Sequence, residues 1–262
     1  LSPTQPFSAL PSLVNNARLE PDDAWGMMYF DSKGCRKIIE SWRSDGIYTP
    51  PTLQGSIMYP GNAGGANWGG VSVDEQRQIV IANVMQLPFL VKLIEREKAK
   101  EIYEGGEYED FSWSRMEGTP YMMIRRPFLS ILDVPCVSPP WGKLVAMDLK
   151  RGEIAWDVPL GTIEDLAPAM VPNLELGVPG MGGPITTASG LVFIAAATDD
   201  YLRAFDTSSG EELWKGRLPA GGQATPMTYE IDGRQYVVIA AGGHGGMGTK
   251  NGDYLVAFAL AD

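Results

Sequence analysis

The sequence predicts an all-β chain, part of a β-propeller, with one short helix near the N-terminus. Three observations carry that reading. The phrase Ala146-Met-Asp148-Leu-Lys-Arg-Gly152-Glu-Ile-Ala-Trp156 returns as Ala204-Phe-Asp206-Thr-Ser-Ser-Gly210-Glu-Glu-Leu-Trp214, with Gly four residues and Trp eight residues after Asp in both copies. Tyr254-Leu-Val-Ala257-Phe opens the phrase a third time. The chain of 262 residues holds 31 Gly and 20 Pro, and 10% of it is aromatic, as expected of many short strands joined by turns. Repeats of roughly 40 to 60 residues made of short strands point to propellers first.

Each copy carries its own mechanics. An alternating strand, Leu144 and Ala146 or Leu202 and Ala204, runs into a polar turn closed by Gly, where a positive φ is cheap. The next strand brings a Trp large enough to fill the gap between neighbouring sheets, so Trp156 and Trp214 are expected to dock one blade on the next. The bland alternative is two unrelated hairpins that share Asp and Gly turn chemistry.

Taken in order, residues 1–54 read as a lead-in, with helical spacing at Cys35, Ile38, Ile39 and Trp42 behind a cap at Asp31. Residues 55–133 read as a blade: Ser56 to Tyr59, Val71 to Val73, Gln78 to Ala82 and Phe89 to Leu93 are strands, and residues 94–118 form a rim excursion without clear period. Residues 134–182 and 183–219 read as one blade each, and 220–262 as a final blade with three strands. The whole chain is expected to be a single partial propeller and a piece of something longer. Three to four blades do not comfortably close a ring, and propellers commonly complete their last blade with a strand from elsewhere in the chain.

Net charge is −11, which argues against nucleic acid as a partner. No apolar run reaches the roughly 18 residues of a membrane span. Two cysteines, Cys35 and Cys136, with no CxxC and a single His, make a zinc site improbable, and no metal ligand is assigned. The pair reads equally as one disulfide or as two buried thiols.

In four-stranded meanders the tight turns share one face, and the second-to-third loops share the other with the blade connectors. The second set here is Gly-rich: residues 61–70, Gly180-Met-Gly182-Gly183, Thr198-Asp199-Asp200, Gly221-Gly-Gln223 and Gly242-Gly243-His244-Gly-Gly246. Such loops on one rim are where a ligand is expected, unless they merely turn sharply. Asn83 ends an otherwise apolar strand, where its amide needs partners in the backbone or in a ligand. Asp199 and Asp200 suit a cation or a sugar hydroxyl, or simple Asx-turn chemistry. His244, flanked by glycines, suits a base or substrate contact, or a solvated loop position.

At these residues the sequence resembles the C-terminal part of the membrane-bound, pyrroloquinoline-quinone-dependent dehydrogenases, the glucose and quinate/shikimate dehydrogenase family. The stretches that carry the likeness include Gly46-Ile-Tyr-Thr-Pro-Pro51, Trp68-Gly-Gly-Val-Ser-Val-Asp74, Met85-Gln-Leu-Pro-Phe89, Leu218-Pro-Ala-Gly-Gly-Gln-Ala-Thr-Pro-Met-Thr-Tyr229 and Gly242-Gly-His-Gly245; residues 96–120 depart from the pattern. The resemblance implies the last three to four blades of an eight-bladed quinoprotein propeller. It also implies a parent, on the periplasmic side of the bacterial inner membrane, that oxidises a sugar or cyclitol and passes electrons to ubiquinone. The expected partners are the remaining blades, an N-terminal membrane anchor, ubiquinone and a small polyol. The cofactor would be pyrroloquinoline quinone with Mg or Ca in the parent, and none need bind to this piece. Catalytic residues are expected in the missing blades, so the piece is expected to be inactive alone. By position, Asn83 matches a cofactor-binding asparagine. Asp199, His244, Gly182, Gly183 and Gly243 match the substrate entrance. A non-catalytic propeller scaffold and a sugar-binding module stay open as alternatives.

Overall fold

The computed structural model describes every residue except 1–3, 5, 7, 16, 169, 261 and 262. Its strands, in chain order, are β1 (Ser56–Met58), β2 (Val71–Asp74), β3 (Ile79–Met85), β4 (Phe89–Glu95), β5 (Ser112–Arg115), β6 (Tyr121–Pro127), β7 (Gly142–Asp148) and β8 (Glu153–Pro159). They continue with β9 (Ile185–Thr186), β10 (Leu191–Ile194), β11 (Tyr201–Asp206), β12 (Glu212–Arg217), β13 (Met227–Ile231), β14 (Arg234–Ala241) and β15 (Tyr254–Ala259). The helices are α1 (Tyr29–Ser41) and α2 (Arg96–Glu104). The strands form antiparallel sheets in the orders β2-β3-β7-β8, β9-β10-β11-β12, β13-β14-β15 and β1-β4-β6-β5. The chain divides into two compact units, one of residues 1–14, 65–85 and 140–262, the other of residues 15–64 and 86–139.

The first unit holds three of the sheets. Inner strands are apolar because both of their faces are covered: β3 is buried at all but one position, and β11 is buried from Leu202 to Phe205. Outer strands β8 and β12 are mostly exposed. The last sheet has three strands, with Val237, Ile239 and Ala241 of β14 packed on Leu202, Leu218, Ala195 and Ala220.

The two copies of the repeated phrase agree down to their irregularities. Asp148 Oδ1 accepts from the amides of Lys150 (2.8 Å) and Arg151 (3.0 Å), and Asp206 Oδ1 accepts from those of Ser208 (2.8 Å) and Ser209 (2.9 Å). Each turn then closes on a left-handed Gly, Gly152 at φ 68° and Gly210 at φ 75°. A bulge falls between Ala146 and Met147 in one copy and between Ala204 and Phe205 in the other. In both, the residue left out of the pairing is the one before Trp, which fixes how the indole leaves the sheet.

The blade boundaries 55–133 and 134–182 do not follow the strand pairing. β3 pairs with β7, from Ile79↔Asp148 to Met85↔Gly142, so one sheet takes its first two strands from 71–85 and its last two from 142–159. Between those halves the chain departs to build the second unit's sheet, where β1 pairs with β4 and β4 with β6. Adjacency in sequence, the usual guide to pairing, fails at β3–β7, β1–β4 and β4–β6.

In the second unit α1 begins at Tyr29, earlier than the expected cap, and carries Asp31, Cys35 and Ile39 on its buried face. Cys35 is bonded to Cys136, which settles the alternative in favour of the disulfide. The stretch read as a rim excursion contains α2 and β5. The helix buries only Ala99 and exposes most of the rest, so its apolar stripe is too thin to show as a period. Among the described residues no helix is long and apolar enough to cross a membrane.

Candidate functional site

The candidate site lies wholly within the first unit, where three sheets end in glycine-rich connectors. Asn83 lies near the C-terminal end of β3, Thr198 and Asp199 follow β10, and His244 follows β14, so each comes at or just after the second strand of its sheet. The connectors are stitched to one another through backbone bonds. Thr198 N donates to Pro179 O (3.0 Å), Ala196 N to Gly222 O (2.8 Å) and Gly243 N to Gly221 O (2.8 Å).

Asn83, 5% exposed, anchors this layer. Its Nδ2 donates to Gly180 O (3.0 Å) and Gly182 O (2.9 Å), which uses both amide hydrogens and fixes which way the amide points. Its Oδ1 is buried and has no partner among the described residues. A buried acceptor left open is expensive, and such an atom marks a place where a donor belongs.

Along 180–183 the backbone polar groups alternate in direction. Carbonyls of the even residues Gly180 and Gly182 face Asn83. Amides of the odd residues go the other way: Met181 N donates to Gln223 Oε1 (3.0 Å) and Gly183 N to Thr225 Oγ1 (3.2 Å). Gln223 Nε2 donates in turn to Ala197 O (2.8 Å). At Gly183 a Cβ would strike the Gly69 carbonyl, and at Gly182 it would come within 2.9 Å of Gln223 O. Gly243, at φ 70°, is backed by the Lys250 carbonyl. These glycines let chain lie on chain, whatever else they border.

Asp199, expected at the substrate entrance, is held inside this chain by its own partners. It is 0% exposed, and Arg203 grips both carboxylate oxygens, Nη1 to Oδ1 at 2.9 Å and Nη2 to Oδ2 at 2.6 Å. Thr162 N adds a bond to Oδ2 (2.7 Å), so its acceptors are committed to this chain's own groups. Burial opposes charge on Arg203, but its bonds to Asp199 and the nearby Glu212 hold its pKa above the ordinary value. The neighbouring acid differs. Burial, and then repulsion from Asp165, push Asp200 above the usual carboxylate range.

His244 is half-buried rather than freely solvated. Its backbone amide donates to Thr249 Oγ1 (2.7 Å), and its Nδ1 is buried without a partner among the described residues, as is Thr198 Oγ1. Trp156 Nε1 donates to Thr207 O (2.9 Å) in the next sheet, and a Cβ on Gly210 would stand 2.6 Å from its ring. Trp214 likewise meets the next sheet, packing edge-on against Phe258 at 5.1 Å. Reading by residue type passed over Gln223 and Arg203. The signals were a lone amide in a Gly-Gly-Gln-Ala run and an arginine inside a buried strand four residues after an aspartate.

The model of the PQQ family, described as "Glucose/ethanol/alcohol dehydrogenase, beta-propeller domain", matches residues 1–237. The chain belongs to this family. It is 48% identical to the quinoprotein glucose dehydrogenase of Escherichia coli, matching 100% of this chain and 34% of that one. The quinate/shikimate dehydrogenase (quinone) of Acinetobacter baylyi is 42% identical over 99% of this chain and 33% of its own. The chain therefore spans about a third of the length of these relatives. The crystal structure of the quinohemoprotein alcohol dehydrogenase from Comamonas testosteroni superposes with a TM-score of 0.52 at 22% identity, covering 83% of this chain and 29% of that one, and shares the propeller fold.

Proposed function

We propose that this PQQ-family chain is the C-terminal part of a quinone-dependent dehydrogenase that oxidises a sugar or cyclitol of the glucose, quinate or shikimate type and delivers electrons to ubiquinone at the periplasmic side of the bacterial inner membrane. The observation that carries it is the Asn83 amide, donors spent on Gly180 and Gly182 and acceptor buried and open. Relatives named as glucose and quinate/shikimate dehydrogenases match at least 99% of the chain and support the substrate class.

The residues present fit the quinone. Pyrroloquinoline quinone carries a pyrrole N–H, and Asn83 Oδ1 offers an acceptor with no competing partner among the described residues. When bound, the cofactor supplies the two-electron oxidation itself, with Mg or Ca in the parent as its companion cation. This chain's share is binding and orientation. Asn83 holds one face of the site, the tight glycine layer excludes water behind it, and His244 stands at the next connector as a polar contact for substrate. The residues that take the hydroxyl proton are assigned to the part of the parent outside this chain, so the chain alone is inactive. The remaining blades, a membrane anchor, ubiquinone and a polyol are its partners.

The test is dye reduction by the full-length parent, loaded with quinone and Mg or Ca, against glucose, quinate and shikimate. Turnover with at least one of them is expected. No turnover with any of the three sinks the substrate assignment. Failure of the apo-parent to bind quinone at all sinks the whole reading.

A further inference from the structure

We infer that Gln223 is a positioning residue for the cofactor-facing amide of Asn83, acting through the three-residue segment Gly180–Gly182; the inference rests on the role proposed above for Asn83. The two side chains grip one short piece of backbone from opposite sides. Asn83 Nδ2 takes the carbonyls on either side of Met181, at 3.0 and 2.9 Å. Gln223 Oε1 takes the Met181 amide between them at 3.0 Å, and Gln223 Nε2 is tied to Ala197 O at 2.8 Å. Both side chains are buried, 5% and 3% exposed, so water does not readily replace any of these bonds.

The geometry matters because a primary amide has two orientations that differ only by exchange of N and O. One orientation satisfies both glycine carbonyls and leaves Oδ1, buried, without a partner among the described residues. The flipped one sets Oδ1 against two carbonyl oxygens, which is repulsive, provided those carbonyls stay convergent. Nothing within the segment holds them so: Gly180 and Gly182 have the widest backbone freedom of any residue type. Gln223 supplies the restraint by pinning the central amide. The bridge between Gly180 and Ala197 pins one end, and the Gly183 amide on Thr225 pins the other. An amide so fixed presents an acceptor on one side and no donor, which selects a ligand group bearing N–H over a carbonyl.

Three variants of the full-length parent test this. Gln223→Met keeps bulk and removes both bonds; Gln223→Glu keeps the acceptor for Met181; Asn83→Ala removes the amide that is positioned. In quinone titrations of the apo-parent, Gln223→Met is expected to raise Kd about tenfold, and Gln223→Glu less than about threefold. The decisive result is the cycle: in the Asn83→Ala background, Gln223→Met changes Kd by less than about twofold. Independent, multiplying losses overturn the inference, because Gln223 would then act without Asn83. So does an unchanged Kd in Gln223→Met.

A second readout needs no cofactor. In the apo protein with 15N-labelled asparagine, exchange of the Asn83 side-chain hydrogens is expected to quicken about tenfold on Gln223→Met, since opening of a buried bond sets that rate. Unchanged exchange overturns the inference even where the wild-type parent binds no quinone, an outcome that separately defeats the proposed function.

Discussion

Asp199 and Arg203, four residues apart, face each other as a forked pair with both oxygens and two guanidinium nitrogens engaged at 2.9 and 2.6 Å, both residues within 1% of complete burial. Such a pair is weak evidence of net stabilisation, but losing one partner strands a buried charge. Asp199→Asn is expected to destabilise the chain by about 3 kcal/mol, and Arg203→Met by about as much. The double change to Leu and Met recovers most of the loss. Urea unfolding monitored by tryptophan fluorescence measures all three.

Two other aspartates are expected to respond to pH with opposite signs. The Ser209 and Ser208 amides hold Asp206 below the ordinary carboxylate range, so its contribution is present at neutral pH and lost as pH falls through the depressed value. Asp206→Ala therefore destabilises at pH 7, and the difference from wild type closes as pH falls through that depressed value. Burial holds Asp200 above that range, so its ionised form burdens the folded state once pH exceeds the raised value. Asp200→Asn is expected to stabilise at pH 7 and to be neutral in acid. Unfolding midpoints across pH 2–8 check both signs.

Trp156 joins one sheet to the next through its bond to Thr207 O and its cover over Gly210. Trp156→Phe removes the bond and should cost about 1 kcal/mol. Trp156→Ala should cost about 3 kcal/mol, at the low end for a large aromatic because the side chain is only partly buried. Gly210→Ala adds a methyl against the indole at a positive φ and should be at least as harmful as the Phe change.

Removing the disulfide tests the second unit. The cysteines are 101 residues apart, and for a closed loop of that size the chain-entropy estimate is about 4.7 kcal/mol. A loss of about 2–5 kcal/mol is expected for the Cys35→Ser, Cys136→Ser protein in urea unfolding.

Much of the first unit was legible because its strands announce themselves locally. The Asp–Gly–Trp phrase fixed turn, bulge and docking residue together, and β10, β11, β13, β14 and β15 lie where alternation put them. The second unit was less so, because its sheet joins β1 to β4 and β6 across a hairpin that belongs elsewhere, and no local pattern records such an excursion. Of the site, Asn83 was readable as an amide in an apolar strand, although β3 does not end there and runs on to Met85. The pairing of Asp199 was not legible, because an acid in a loop looks free until Arg203, on the following strand, is seen to bind it. Gln223 was placed among the Gly-rich connectors but given no role, because its partners are backbone atoms.

The bond between Cys35 and Cys136 closes a covalent ring, and residues 65–85, which belong to the first unit, lie along that ring. Neither unit can therefore be lifted out as one continuous stretch of gene. A protease nick anywhere in β2 or β3 would leave a product that still runs as a single species without reductant, and only a thiol would release its two halves.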